Sequence, residues 1–172
     1  ALTREHAKLL RRYTQNVILC FDADKAGINA SSRAFRELVQ EGLSVRVASL
    51  TAGDDPDSYI NRNGPDAFRE LIGGARDFFD FKLEFAKSEG ALDSAAGRAA
   101  ALTDCASDLM LMSDFAAREN QINVVAAHLQ TSANALREAI AKLKAKPQRA
   151  ARESATTDNP DFTPAEPTPL HR

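Results

Sequence analysis

Cysteine is scarce in this chain: two in 172 residues, Cys20 inside an apolar run and Cys105 in an Ala-rich stretch. Thiols so placed fit reduced core residues and argue against a disulfide framework or a Cys-rich zinc site. Long apolar runs are missing as well. The longest, Val17-Ile18-Leu19-Cys20-Phe21, falls far short of the ~20 residues that a bilayer-spanning helix needs, so no membrane partner is expected. No basic-then-apolar leader opens the sequence, and a cytoplasmic location is expected. Neither sign of charge dominates: 22 Lys+Arg against 24 Asp+Glu give a net charge of −2. That argues against a wholly basic nucleic-acid-binding surface while leaving room for a local basic groove. No period of roughly 20–50 residues recurs, which argues against a solenoid or propeller. The first residue is Ala1 rather than Met, so a piece of something longer is expected. What is there is ordinary, 44% apolar and 27% charged, enough for one good core or two small ones.

Five of the seven prolines (Pro147, Pro160, Pro164, Pro167, Pro169) fall in residues 147–172, beside many Ser and Thr and few large apolar side chains. Such a segment buries too little surface to offset its ordering entropy and reads as a disordered linker or tail. Ahead of it, Thr3 can cap a helix over 3–13, with Leu2, Leu9, Leu10 and Tyr13 as its apolar contacts. Val17–Phe21 has the continuous β-branched character of a strand buried on both faces. Residues 26–41 return to helical spacing and end at Gly42, suited to a left-handed terminus. Ser44–Leu50 alternates as a strand does. Strand, helix, strand at this spacing predicts a parallel, right-handed βαβ unit.

Beyond the turn around Gly53–Pro56, helices are expected over 65–73, 76–88, 94–111, 114–129 and 132–145, with Ser113 and Ser132 as N-caps. The alternation Phe79-Asp80-Phe81-Lys82-Leu83-Glu84-Phe85 also fits a strand. No turn residue flanks it until Gly90, and Lys82 can lay its stem along an apolar helix face, so helix is preferred. The fold class expected is therefore α/β, a parallel βαβ unit in residues 1–75, then an α-helical subdomain in 76–146, then the tail 147–172.

Chemistry is expected where the strands end. Asp22 and Asp24 follow the first strand directly, and open α/β sheets place ligands at the carboxyl ends of their strands. In extended chain, residues i and i+2 point the same way. Asp55-Pro56-Asp57 repeats the spacing beyond the second strand, with Pro56 stiffening the backbone. Parallel neighbours deliver both pairs to one edge. Converging carboxylates without His or Cys suit Mg²⁺ or Mn²⁺, and magnesium completes its shell with waters and phosphates, which points to phosphoryl or nucleotidyl transfer. The structural alternative is that these are turn and helix-cap residues, with Asp57 or Ser58 opening the next helix. Lys25 is either a phosphate contact or a helix-start lysine. His6, His128 and His171 carry no ligand spacing; Met110 and Met112 read as core filler.

The run Asn16-Val17-Ile18-Leu19-Cys20-Phe21-Asp22-Ala23-Asp24-Lys25-Ala26-Gly27 resembles the latter part of the Toprim domain of bacterial DnaG-type DNA primases. There a hydrophobic strand ends in Asp-x-Asp, a basic residue and Ala-Gly. Ala1-Leu2-Thr3 with Leu9-Leu10-Arg11-Arg12-Tyr13 is similar to the preceding helix. Gly53-Asp54-Asp55-Pro56-Asp57-Ser58-Tyr59 resembles that family's Gly-Glu-Asp-Pro-Asp motif, and Ala67-Phe68 with the helices to about 145 looks like its helical subdomain.

The resemblance implies RNA primer synthesis on a single-stranded DNA template from ribonucleoside triphosphates, with Mg²⁺ or Mn²⁺ on Asp22, Asp24, Asp55 and Asp57, Asp22 and Asp24 being catalytic, and Lys25 near phosphate. Ala23 stands where the family usually has Gly. Lys25 replaces a residue that is often Arg, keeping charge and losing a bidentate fork. The family's catalytic glutamate, its basic template-binding subdomain and its zinc-bearing N-terminal module would lie upstream of Ala1, and its helicase-binding domain beyond the tail. Zinc is thus expected only outside this chain, the replicative helicase is expected to contact a domain absent here, and the chain alone is expected to be inactive. Two alternatives stay open: another Toprim enzyme, a topoisomerase or OLD-type nuclease, and a helix-turn-helix DNA-binding module in 114–145 with Arg137, Lys142, Lys144 and Lys146 toward phosphate. A pattern of that last kind is more often a plain helical hairpin.

Overall fold

The computed structural model describes residues 2–22, 24–50 and 54–156, with side chains described as far as Ala145. Its elements run α1 (Arg4–Arg11), β1 (Asn16–Asp22), α2 (Lys25–Gln40), β2 (Ser44–Leu50), α3 (Pro56–Gly73), β3 (Arg76–Asp77), α4 (Phe78–Ser88), α5 (Ala95–Leu111), α6 (Phe115–His128) and α7 (Ala133–Thr156). The βαβ unit is present: β1 and β2 pair in parallel, Asn16 opposite Ser44 through Asp22 opposite Leu50. The sheet order is β1-β2-β3.

Thr3 caps α1 through a capping box with His6, and Arg4 reaches Glu41 at the end of α2 at 2.8 Å. Arg11 donates to the Glu41 carbonyl. Gly42 takes φ +75°, and a Cβ there would collide with the Arg11 guanidinium. The apolar face of α1 differs from expectation. Ala7 is the buried residue, while Leu9 is 50% and Tyr13 82% exposed. At about 100° per residue Leu9 lies roughly 200° around the helix from Ala7, so both cannot face α2.

β1 is also less covered than its sequence suggests. Only Leu19 is buried, and Val17, Ile18, Cys20 and Phe21 are half-buried, because β1 is the edge of the described sheet. β2, flanked on both sides, buries Val45, Val47, Ala48 and Leu50.

Residues 78–88 are helical, as preferred, but 76–77 are not. Arg76 and Asp77 pair antiparallel with Val47 and Arg46, and Asp77 then caps α4 by accepting from the Phe79 N–H at 2.8 Å. The backbone cannot serve the ladder and the helix at once, so α4 starts at Phe78. α3 is a helix broken at Gly64, where φ is +83° ahead of Pro65, the ring of which removes a backbone donor. α6 is capped by Asp114 rather than Ser113; the Ser113 hydroxyl instead donates to the Val39 carbonyl at 3.4 Å. Ser132 does cap α7, accepting from the Ala135 N–H.

One hydrophobic core runs beneath both halves of the sequence, joining Leu38, Val45 and Val47 to Phe78, Leu109, Ile122 and Leu136. Phe35 of α2 is its hinge point, stacked on Phe78 with ring centroids 3.8 Å apart and edge-on to Phe79 at 5.4 Å. α7 continues to Thr156, past the start expected for the tail at 147; Gln148–Ala155 is dominated by Ala, Arg, Gln and Glu, good helix formers. Residues 157–172 of that expected tail lie outside the described residues.

Candidate functional site

The parallel register sets the end of β1 beside the end of β2, and α2 and α3 both start from that edge. Asp22 closes β1 and is half-buried. Two residues on, Asp24 is the N-cap of α2, its Oδ1 accepting from the Gly27 N–H at 2.6 Å. The intervening Ala23 lies outside the described residues. Gly27 is what allows this turn: a Cβ there would run into the Asp22 carbonyl oxygen. Helix and strand end are thereby held in direct backbone contact.

In the second pair it is the first residue that caps, and the second lies inside the helix. Asp55 caps α3, with Oδ1 accepting from the Ser58 N–H at 2.8 Å and Oδ2 from the Ser58 hydroxyl at 3.2 Å. The Ser58 amide holds the Asp55 carboxyl below the usual carboxylate range. Asp57, one residue into α3 past Pro56, accepts from Asn61 Nδ2 at 3.2 Å. Both are exposed. Asp54, the other acid of this stretch, is 6% exposed and takes a two-pronged bond from Arg62 at 2.7 and 3.1 Å. It is committed to holding the start of α3.

The four expected ligands thus share an edge but do not form one cluster: among the described residues no group of three or more His, Cys, Asp or Glu is close enough to hold a metal ion. Two of them, Asp24 and Asp55, carry the cap role that was the structural alternative. The donor set still fits a hard divalent cation in kind, since every group is a carboxylate oxygen and each keeps acceptor capacity beyond its cap bond. Magnesium is commonly held by one or two carboxylates with waters and phosphates completing the shell. The N-termini of α2 and α3 add positive potential at the same edge, and Lys25, exposed in the first turn of α2, adds a full charge.

A second set of charged residues was not legible in the sequence. Asp108, fully buried, accepts from Arg36 Nε and Lys82 Nζ, both at 2.6 Å, and Lys82 also meets Asp104 at 2.6 Å. Burial, the largest influence, pulls the Lys82 ammonium down, but the charge of Asp108 together with Cys105 and the hydrogen bonds to Asp104 and Asp108 outweighs it, and the net direction is up. The group ties α2, α4 and α5 together. The four residues are separated by up to 72 positions, so no local spacing announces them; Asp104 and Asp108 at i, i+4 are the only hint. Cys105 beside them is pushed by burial up to about 12, an unreactive thiol, and burial raises Cys20 as well.

Helices α6 and α7 form a hairpin whose turn contains Gln130 at φ +51°. Val125, Leu129 and Leu136 face the core, and Arg137 is engaged inside the hairpin, with Glu119 at 2.7 Å and Asn134 at 2.9 Å. Lys142 and Lys144 are exposed, and the Lys146 side chain lies outside the described residues. His128, paired with Asp80 at 2.8 Å, joins α6 to α4. Among the described residues no helix is long and apolar enough to cross a membrane.

Comparison with known proteins places these features. Residues 1–60 match the Toprim-like family, and residues 79–134 match the DnaB-helicase binding domain of primase. The chain is 32% identical over 140 residues to a DNA primase of Listeria innocua, covering 80% of this chain and 22% of that protein. It therefore spans about a fifth of the length of such curated relatives. A DNA primase domain from Pseudomonas aeruginosa superposes with a TM-score of 0.67 at 27% identity, covering 81% of this chain and 45% of that one. A DnaG primase catalytic domain bound to single-stranded DNA gives 0.63 at 27% identity, covering 76% and 42%.

Proposed function

Since the chain belongs to the bacterial DnaG-type DNA primase family, we propose that it supplies the carboxylate edge of a nucleotidyl-transfer site making RNA primers on single-stranded DNA. The observation that carries this is the placement of two Asp-x-Asp pairs beyond the carboxyl ends of parallel neighbours β1 and β2, each supplying the cap of the helix that follows. The solved relative with single-stranded DNA supports that template, and ribonucleoside triphosphates are the substrates such chemistry requires.

Asp22 and Asp24, joined by Asp55 and Asp57, would hold Mg²⁺ or Mn²⁺. The bound cation would neutralise the phosphate under attack and the pyrophosphate leaving oxygen. The chain's own contribution is positional: the caps at Asp24 and Asp55 fix each carboxylate against a helix start, and Lys25 with the two helix N-termini receives phosphate oxygens. The test is a Mn²⁺ titration of the chain followed by electron paramagnetic resonance. A saturable site that weakens in Asp22→Asn/Asp24→Asn is expected; an identical isotherm would make these carboxylates structural only.

The match of residues 79–134 favours a second role. We infer that α4–α6 contribute to contact with the replicative helicase, rather than that contact lying wholly outside the chain. Co-migration of the chain with the hexameric helicase in gel filtration is expected, and its absence would return the contact to other parts of the primase.

A further inference from the structure

Along α2 a row of polar side chains runs away from the carboxylate edge. Lys25, Asn29 and Arg33 are four residues apart, so they follow one another on successive turns of one face, and all three are exposed. Ser32 and Arg36 flank the row and are half-buried. Lys25 stands in the first turn, at the edge itself; at ~1.5 Å per residue Arg33 lies roughly 12 Å and Arg36 roughly 16 Å farther along. There the row opens into a cleft of about 380 Å³, lined by Asn29, Ser32, Arg33 and Arg36 of α2 with Lys82 of α4 and Asp104 of α5.

The charges of this cleft are unequally committed. Buried Asp108 holds Arg36 Nε and Lys82 Nζ. Asp104, half exposed at the rim, meets Lys82 at 2.6 Å but reaches Arg36 Nη2 only at 3.5 Å. Arg33 is the cation left over: its Nε donates to the Asn29 carbonyl at 3.3 Å, and among the described residues it pairs with no carboxylate. Glu37, the one acid of α2, acts on Arg4 of α1. Three cations against two carboxylates leave a positive surplus, and the Asn29 amide and Ser32 hydroxyl add neutral donors beside it. An arriving anion has only to turn Asp104 outward to water, since an exposed ion pair contributes little, and it then gains Lys82 and Arg36 as well as Arg33. Guanidinium forks beside an ammonium suit phosphate.

We propose that this face of α2 and its cleft carry the sugar-phosphate backbone of a single nucleic-acid strand away from the carboxylate edge, with Lys25 on the first phosphate, Arg33 on the next, and Arg36 and Lys82 together on a third. The inference rests on the nucleotidyl-transfer reading of that edge and adds the direction the strand takes from it. A lone phosphate would need only the cleft. The row from Lys25 to Arg36 instead has the reach of roughly four to five stacked nucleotides at ~3.4 Å each. Contacts of this kind go to phosphate and position the strand without reading its sequence.

The test is fluorescence anisotropy of the whole chain with a labelled oligothymidylate over a range of KCl concentrations, in EDTA so that the metal site takes no part. Each phosphate neutralised on a single strand contributes about −0.7 to the slope of log K against log salt, so three contacts give a slope of about −2. Arg33→Gln should weaken binding about threefold or more and remove about 0.7 of that slope, and Arg33→Lys, which keeps the charge, should restore the slope. Asp104→Asn should tighten binding by about threefold or more, which a purely structural role for the ion group would not produce. The double variant Lys142→Gln/Lys144→Gln on α7 should change neither quantity. No binding at low salt, a slope indifferent to Arg33→Gln, a slope lost instead in the α7 variant, or binding of inorganic pyrophosphate with none of the oligonucleotide would each overturn the proposal. The Mn²⁺ titration separates the two readings: absence of the cation site with the Arg33-dependent slope intact sinks the carboxylate reading alone and upholds the strand contact.

Discussion

Asp108→Asn is the substitution on which the account of this fold can be tested hardest. The Asp108 side chain is 0% exposed and holds two cations, Arg36 Nε and Lys82 Nζ, each at 2.6 Å. Lys82 is itself only 10% exposed at the side chain, and its other partner, Asp104, is 51% exposed. Neutralising Asp108 leaves a buried ammonium facing one solvent-screened carboxylate. Removing one partner of a buried pair costs about 3–5 kcal/mol, a large part of the 5–15 kcal/mol, roughly, that holds a domain. At about 2–4 °C per kcal/mol for a chain of this size, Tm should fall by roughly 6–20 °C.

Urea unfolding followed by circular dichroism reads the loss as a lower midpoint at unchanged slope. Lys82→Met should then recover part of it in the Asp108→Asn background, since an apolar stem of similar length needs no counter-charge. Asp104→Asn, on the solvent side, should cost about 1 kcal/mol or less. A loss below about 1 kcal/mol for Asp108→Asn, or no recovery on adding Lys82→Met, would refute the reasoning. The folded Lys82 pKa is raised, so its contribution is complete below the unfolded lysine value and fades only as pH climbs through the folded one. The Asp108→Asn defect should therefore shrink in strongly alkaline solution.

Gly27→Ala must push a Cβ against the Asp22 carbonyl, rigid backbone at a strand end; a loss of about 1–3 kcal/mol should accompany weaker Mn²⁺ binding, and an unchanged affinity would uncouple the glycine from the site. Asp77 has a folded pKa raised by burial, so its protonated form is favoured in the native state, a contribution complete below the unfolded value near 3.8 and lost as pH rises through the folded one. Asp77→Asn should consequently gain on the wild type as pH rises from 3 toward about 7, and a pH-independent difference in urea midpoint would contradict that. Asp24→Asn keeps a good N-cap while Asp24→Ala removes it at about 0.5–2 kcal/mol. Both should lose Mn²⁺ affinity, yet only Ala should lower the unfolding midpoint. Asp55, held low by the Ser58 amide, contributes above the unfolded value and loses that contribution as pH falls through the folded one, so acid melts of Asp55→Asn and wild type should converge.

The parts of the fold that were legible in advance are those fixed by neighbours in sequence. A cap three residues from its amide (Thr3, Asp24, Ser132) and a glycine at a helix end (Gly42) each depend on a handful of adjacent residues. What the chain does not declare locally is coverage. Val17–Phe21 reads as fully buried because apolar content measures what a strand can bury, whereas β1, at the edge of the described sheet, buries only Leu19. Leu9 and Tyr13 read as contacts for their hydrophobicity alone, though helical geometry permits only one side of α1 to reach α2 and Tyr13 lies in the turn past its end. The short β3 has no local signal because Arg76 and Asp77 gain strand character from β2, some thirty positions earlier. The buried ion group at Asp108 is the extreme case, assembled from three helices with only the i, i+4 pair Asp104 and Asp108 on α5 to hint at it.

At the carboxylate edge the structural and chemical readings of the same residues converge rather than compete. An N-cap needs a short acceptor side chain in extended backbone just ahead of a helix, and a metal ligand at a strand end needs a carboxylate whose rotamer is fixed before the cation arrives. Asp24 meets both conditions at once: the bond from the Gly27 amide occupies Oδ1 and the strand–helix contact allowed by Gly27 fixes the backbone. Asp55 does the same at α3 through Ser58. Finding these residues as caps therefore does not subtract from the case for a cation. The discriminating feature is the repetition: one capped Asp after a strand is ordinary turn chemistry. Two Asp-x-Asp pairs, each contributing the cap of a helix beyond adjacent parallel strands, place more carboxylates along one edge than capping requires, and that surplus is what the proposed divalent-cation site rests on.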